Sequence, residues 1–197
     1  MQESFISNID KELIEKFLHE GFIIFPLDDD LVFEKIRKNI YDWSMKILSL
    51  AKKPNPNEFF DHTEQFISLD DLNSFRIKLI QEFSKNNKSF RPDIYNVAKN
   101  KIDTIVGNEL MMQRNVNLTI QFPKDTSSVL PIHSDVWDGN SPFEIVFWLP
   151  LTECYRTRSV FILPRQKNIE IFKNFSRYSK LSSEQFYQEL KNDVVWC

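Results

Sequence analysis

Residues 111–123, MMQRNVNLTIQFP, alternate between apolar and polar side chains, and this pattern decides the fold that the sequence predicts. Successive side chains of a β-strand point to opposite faces, so the alternation predicts a strand with one apolar and one polar face. The polar face would carry Gln113, Asn115, Asn117, Thr119 and Gln121, and the apolar face Met112, Val116, Leu118, Ile120 and Phe122, with Arg114 as the exception. Such a strand exposes its polar face to water or lines a pocket with it.

Further strands are predicted downstream of this segment. Residues 143–151 and 159–163 are rich in β-branched and aromatic side chains, and a proline ends each run. Residues 181–184, LSSE, predict the start of a last helix with a serine as its cap. The final residues 194–197, VVWC, are typical of a strand that has only started.

Helical spacing dominates the chain before Leu110. A first helix is predicted from the capping residues 7–10 to a stop at Gly21, and residues 22–26, FIIFP, predict a short buried strand. Further helices are predicted at about residues 31–51, 69–86 and 91–106, with a proline-rich loop at 52–57. Helices come first and antiparallel strands second, which predicts an α+β fold.

Length and charge narrow the class of protein. A chain of 197 residues, 42% of them hydrophobic, is long enough for one domain with a sizeable core. We expect a single domain, 1–197, mainly helical over 1–109 and built of strands over 110–197. The net charge of −3 gives no attraction towards nucleic acid or an anionic membrane.

The sequence also bears on cellular location. No apolar run approaches the roughly 18 residues needed to span a bilayer, and the first residues are charged rather than leader-like. The two cysteines, Cys154 and Cys197, form neither a metal-binding spacing nor a disulfide framework. We therefore expect a soluble cytoplasmic protein. Frequent Lys, Asn, Ile and Phe are typical of an AT-rich bacterial genome.

His133 and Asp135 form the strongest chemical motif in the chain. Residues two apart on an extended segment point the same way, so the imidazole and the carboxylate are expected to converge. Together they would supply two arms of a two-His-one-carboxylate site, which leaves three positions on iron(II) open for cosubstrate and oxygen. The alternative is an ordinary surface His and Asp in a solvated loop.

The surroundings of this pair resemble a known family. The run from Pro131 to Pro164, and above all HSDVWDGNSPFE within it, resembles the iron(II)/2-oxoglutarate oxygenases found sporadically in bacterial carbohydrate-biosynthesis clusters. These enzymes are relatives of the phytanoyl-CoA dioxygenases, whose N-terminal strand is similar to GFIIFP at residues 21–26. The resemblance covers roughly that first strand and residues 110–164.

The resemblance implies a fold, a cofactor and a substrate class. The fold would be a double-stranded β-helix, or jelly roll, with N-terminal flanking helices. His133 and Asp135 would be ligands of Fe(2+). The residues lining the cavity for 2-oxoglutarate and substrate would be Gln113, Asn115, Asn117 and Gln121, with Trp137 placed to stack on a sugar ring. The substrate would be a carbohydrate or nucleotide-sugar in surface polysaccharide biosynthesis.

The chain departs from this family in its histidines. The family needs a second His far downstream and a basic residue after it, whereas this chain has only His19, His62 and His133. Either the chain is C-terminally incomplete or its site is altered, and we favour the former. His19 and His62 are better explained as surface side chains than as ligands, and Cys154 and Cys197 as inert thiols.

Other roles stay open at this point. Arg156 and Arg158 would suit a carboxylate or phosphate, although an exposed hairpin turn explains them better. Trp148 is expected in the core. A rival function is a non-catalytic jelly-roll module that binds sugar without metal, and a cupin-like isomerase would need ligands that the sequence lacks. A jelly roll without its last strands would leave edges unpaired, so oligomers are expected through those edges.

Overall fold

The computed structural model describes residues 6–107, 109–125, 133–136, 139–155 and 158–196. Of these residues 54% are helical, and they contain a single short strand pair and no larger sheet. The predicted double-stranded β-helix is therefore wrong. A jelly roll needs strands that pair in two sheets, and the described backbone forms only one two-stranded ladder.

Nine α-helices, one 3-10 turn and two strands make up the secondary structure of the described residues. In chain order they are α1 Asn8–Glu20, α2 Asp30–Leu48, α3 Pro56–Asp61, the 3-10 turn Thr63–Gln65, α4 Leu69–Lys85, α5 Asn87–Asn96, α6 Lys99–Val106, β1 Phe161–Ile162, α7 Arg165–Lys173, α8 Phe175–Tyr178, α9 Ser183–Leu190 and β2 Val195–Trp196. None of the helices in the described residues is both long and apolar enough to cross a bilayer.

Side-chain caps set where the main helices begin. The Ser7 hydroxyl accepts a hydrogen bond from the Asp10 N–H at the start of α1, and the Asp29 carboxylate accepts one from the Val32 N–H at the start of α2. Ser68 does the same for α4. Each bond satisfies an amide that has no partner inside the helix, which is why short polar residues precede these helices.

Two compact units can be distinguished. Unit 1 comprises the described residues of Met1–Phe25, Leu130–Trp148 and Cys154–Cys197, and unit 2 those of Pro26–Val129 and Leu149–Glu153. In unit 2, α2 packs against α4 and α5 around an aromatic cluster. The Phe83 and Phe90 rings stack at 4.7 Å, and Trp43 meets Phe90 edge-on at 5.2 Å.

Unit 1 has a smaller core near the C-terminal helices. Its buried side chains are Ile171, Tyr178, Phe186 and Leu190, with Leu163 and Leu181 packed against them. β1 and β2 pair antiparallel beside this core, with Phe161 opposite Trp196 and Ile162 opposite Val195. The Arg165 guanidinium of α7 donates a hydrogen bond to the Leu18 carbonyl, which ties α7 to the end of α1.

The predicted strand at residues 111–123 is not formed. Solvent exposure nevertheless follows the predicted alternation: the polar residues are exposed, and the apolar residues from Met112 to Phe122 are half-buried. The backbone carbonyls of Met112 and Arg114 accept hydrogen bonds from the side chains of Arg91 and Asn87 rather than from a neighbouring strand. The alternation therefore predicted correctly which side chains of this segment are exposed. It does not specify another strand with which the segment could pair.

Of the other four predicted strands, two are not formed in the described residues and two are formed in part. Residues 143–151 and 22–26 contain no strand. The prediction at 159–163 is confirmed only for Phe161–Ile162, whereas the strand predicted near the end of the chain is confirmed at Val195–Trp196. The side chain of Phe143, expected on a packed strand, is 92% exposed.

The predicted helices are largely confirmed, but one of them is divided into two helices. The helix predicted at 91–106 is two helices, α5 and α6, separated at the fully buried Val97 and Ala98. The Tyr95 hydroxyl donates to the Asp103 carboxylate over 2.5 Å and joins the two helices across that break. Helices α3, α7 and α8 were not predicted, and α3 begins at Pro56, within the loop predicted at 52–57.

Candidate metal site

His133 and Asp135 lie side by side in unit 1. The His133 Nε2 atom is 3.5 Å from the Asp135 Oδ1 atom, and the two side chains are 37% and 45% exposed. The imidazole and the carboxylate therefore converge, and both remain open to solvent. Because neither side chain is deeply buried, both are accessible to solutes and ions.

Two backbone hydrogen bonds connect Gly139 and Asn140 to Val136 and Asp135. The Asn140 N–H donates to the Asp135 carbonyl over 3.1 Å, and the Gly139 N–H donates to the Val136 carbonyl over 3.2 Å. Further along, the Ser141 hydroxyl accepts a hydrogen bond from the Phe143 N–H at 3.2 Å. Asp135 is thus anchored through its backbone while its carboxylate is directed towards His133.

These two residues fit part of a metal site. Imidazole nitrogens and carboxylate oxygens bind a metal ion such as zinc at about 2.0–2.2 Å. Two ligand atoms 3.5 Å apart can therefore contact one ion. Within the described ranges no group of three or more His, Cys, Asp or Glu residues is placed to hold a metal ion. Binding of a metal ion by this pair stays a prediction, and the pair would account for two of the three protein ligands that the resemblance implies.

The remaining predicted site residues are placed as follows. Gln113, Asn115, Asn117 and Gln121 are all exposed and belong to unit 2. Their role in binding 2-oxoglutarate or substrate stays a prediction. Trp137 and Arg156 lie outside the described residues. The Arg158 guanidinium lies 5.4 Å from the centre of the Tyr155 ring, and the Trp148 side chain, expected in the core, is partly exposed.

Proximity to a carboxylate does not single out His133 among the histidines. His62 Nδ1 lies 3.7 Å from Glu64 Oε1, and His19 Nδ1 lies 2.9 Å from Glu20 Oε1. What distinguishes His133 is the sequence of residues 133–144, HSDVWDGNSPFE, on which the predicted resemblance to iron-dependent oxygenases rests. The pair His62 and Glu64 has the same spacing and similar exposure, so it is a natural control for experiments.

One feature of unit 2 was not predicted from the sequence. A shallow cleft of about 180 Å³ lies between the end of α2 and the start of α4. The lining residues are Ile47, Leu48, Phe66, Ile67, Ser68, Asp71, Ser74, Phe75 and Lys78. The helical spacing of the apolar residues in α2 and α4 predicts that the two helices pack against each other. It does not predict a cleft between them.

Comparison of the chain with protein-family models, with curated proteins and with solved structures gave no match.

Proposed function

We propose that this protein is an iron(II)- and 2-oxoglutarate-dependent oxygenase that acts on a carbohydrate or nucleotide-sugar of surface polysaccharide biosynthesis. The observation that carries the proposal is the 3.5 Å separation of His133 Nε2 and Asp135 Oδ1, with both side chains open to solvent. The sequence around them, HSDVWDGNSPFE, adds support through its resemblance to oxygenases of that class.

Each residue of the pair has a defined role in this proposal. His133 would bind iron(II) through the lone pair of a neutral imidazole, and Asp135 through a carboxylate oxygen that offsets one of the two positive charges. Iron, when bound, supplies oxygen activation coupled to the oxidative decarboxylation of 2-oxoglutarate to succinate and carbon dioxide. The proposal requires that the cosubstrate can approach the pair, and the partial exposure of both side chains is consistent with that requirement.

Weak metal binding is expected from this arrangement. The described residues offer two protein ligands, whereas sites of the two-His-one-carboxylate type use three. A site with fewer protein ligands leaves more coordination positions to water and so holds its metal less tightly. We therefore expect slow turnover of 2-oxoglutarate that depends on added iron(II).

Succinate formation tests the proposal. The chain is incubated with iron(II), 2-oxoglutarate and oxygen, and succinate is compared between the unaltered protein, Asp135→Ala and His62→Ala. Loss of even an outer hydrogen-bond partner of a ligand lowers affinity or activity about 10- to 100-fold, so Asp135→Ala should cost at least as much. His62→Ala should leave the rate unchanged, because its pair with Glu64 lies outside the motif.

The opposite outcome points to another class of protein. Equal rates in all three proteins, or no succinate from any of them, would contradict the oxygenase. Sugar affinity that survives both a metal chelator and Asp135→Ala would instead indicate a sugar-binding protein that uses no metal.

A further inference from the structure

The cleft between α2 and α4 has an apolar floor. Its most buried side chains, Ile67 and Phe75, are 4% and 3% exposed, and Ile47, Leu48 and Phe66 beside them are half-buried. The volume of about 180 Å³ is several times the roughly 30 Å³ that one water molecule takes up in the liquid. A short hydrocarbon chain therefore fits, and its contact with this floor would remove apolar surface from water.

The rim of the cleft is polar and carries one charge towards each end. Asp71, Ser74 and Lys78 are exposed and lie on one face of α4, at spacings of three and four residues. Asp71 and Lys78 are seven residues apart, which is about 10 Å along a helix axis. One end of the cleft is therefore acidic and the other basic.

The basic end has the charge that is still available to a ligand. The Asp71 carboxylate accepts a hydrogen bond from the Ser68 hydroxyl at 2.6 Å, and the Asp71 N–H donates to the Ser68 Oγ atom at 3.2 Å, so this carboxylate is engaged at the helix cap. On the same helix the Lys85 ammonium pairs with Glu82 at 2.6 Å. The Lys78 ammonium, by contrast, forms no ion pair in the part of the chain that the structure describes. The rim therefore favours an anionic ligand.

We propose that this cleft binds a short-chain aliphatic carboxylate. The hydrocarbon chain lies over Ile67 and Phe75, and the carboxylate pairs with the Lys78 ammonium, which balances its single negative charge. Asp71 is about one screening length away from that end at physiological ionic strength, so its repulsion is weak. The site uses none of the residues assigned to the metal site, and it stands independently of the proposed oxygenase.

A chemical-shift titration of the ¹⁵N-labelled full chain tests the site, with the sodium salts of propionate, butyrate and hexanoate as ligands and sodium chloride as the ionic control. Hexanoate should shift the amide signals of Ser68, Asp71 and Ser74 to saturation, with a dissociation constant on the order of 1 mM. Each added methylene should tighten binding about 3- to 4-fold, because it buries more apolar surface. Hexylammonium, which has the same chain and the opposite charge, should bind about 5-fold more weakly than hexanoate.

Three substitutions at exposed positions separate charge from shape. Lys78→Met removes the charge and keeps an unbranched side chain, so hexanoate should bind about 3- to 5-fold more weakly and lose its advantage over hexylammonium. Lys85→Met removes a lysine of the same helix that does not line the cleft, and hexanoate affinity should stay unchanged. Ser74→Phe places a large ring in the cleft and should abolish binding. Thermal unfolding checks that each variant is folded.

The proposal is supported if saturable shifts of the cleft amides favour hexanoate and if Lys78→Met removes that preference. It is overturned if hexanoate produces no saturable shift at these amides, or if hexylammonium binds as tightly as hexanoate. Equal hexanoate affinity in the unaltered protein and Lys78→Met would overturn the role of the ammonium and with it the class of ligand. Binding that persists in Ser74→Phe would place the ligand outside this cleft.

Discussion

The environment of the Cys154 thiol leads to a prediction about its reactivity. Partial burial raises its pKa above that of an ordinary cysteine, although the charge of Arg158 acts in the opposite direction. A raised pKa leaves less thiolate at a given pH, and the thiolate is the reactive form. We expect iodoacetamide to alkylate Cys154 more slowly at mildly alkaline pH than it alkylates a free cysteine, with the rate rising only at higher pH.

The measurement uses Cys197→Ser, so that Cys154 is the only thiol in the chain. The rate of alkylation is followed against pH, with glutathione as the reference thiol. A profile whose midpoint lies at the same pH as the glutathione midpoint, or at a lower pH, would contradict the raised pKa.

A second prediction about a single residue concerns Gly21. It ends α1 in the left-handed region, and its N–H donates to the Phe17 carbonyl over 2.8 Å. A Cβ at Gly21 would lie 3.4 Å from the Arg165 Cβ, an ordinary contact, so the cost of alanine comes from the backbone. Gly21→Ala should lower the free energy of unfolding in urea by about 1 kcal/mol.

Asparagine is the control for this change, because it tolerates the left-handed region. Gly21→Asn should lose clearly less stability than Gly21→Ala. Equal losses in the two variants would show that the backbone conformation is not the cause.

The candidate site shows what residue spacing can and cannot predict. His133 and Asp135 are two apart, and that spacing alone led to the expectation that their side chains converge. A third ligand would have to come from a distant part of the chain, and no short-range pattern specifies such a contact. Gly139 has a positive φ of 89°, which is the kind of backbone conformation that a glycine in the sequence signals locally.

Among the elements, α5 carries the most informative packing prediction. Phe90 on α5 is 1% exposed and contacts Phe83 and Trp43. Truncation of a buried phenylalanine removes its contacts and leaves a cavity, so Phe90→Ala should destabilise unit 2 by about 3–5 kcal/mol in urea unfolding.

An exposed phenylalanine provides the matched control. Phe143 is 92% exposed, so Phe143→Ala should change stability by no more than about 0.5 kcal/mol. A small effect at Phe90, or an equally large one at Phe143, would contradict the packing described for these elements.

The difference between confirmed helices and missing strands has a physical cause. A helix such as α1 or α4 is specified locally, by a capping serine and apolar residues at helical spacing, and both begin where those signals lie. A strand needs a partner elsewhere in the chain. Residues 111–123 have the alternation of a strand, and their exposure follows it, but no neighbouring strand pairs with them in the described structure.

For the whole molecule, the balance of helix and strand can be measured directly. With 54% of the described residues helical and one short strand pair, the far-ultraviolet circular dichroism spectrum should show the double minimum of an α-helical protein. A jelly roll would give a spectrum dominated by β-structure. A β-dominated spectrum of the folded chain would therefore contradict the helical architecture.

Whole-molecule properties were also the least predictable from the sequence. The double-stranded β-helix followed from a resemblance that rests on short motifs around His133 and at residues 21–26, and such motifs do not specify how distant segments pair. Association through unpaired strand edges stays a prediction.

Iron binding by His133 and Asp135 is the central claim, and calorimetric titration with iron(II) under argon tests it most directly. The unaltered chain is compared with the double variants His133→Ala/Asp135→Ala and His62→Ala/Glu64→Ala, which each remove one histidine–carboxylate pair of the same spacing. We predict that the first double variant loses the binding isotherm and that the second retains it. Retention of the isotherm in the first, or its loss in the second, would contradict the assignment.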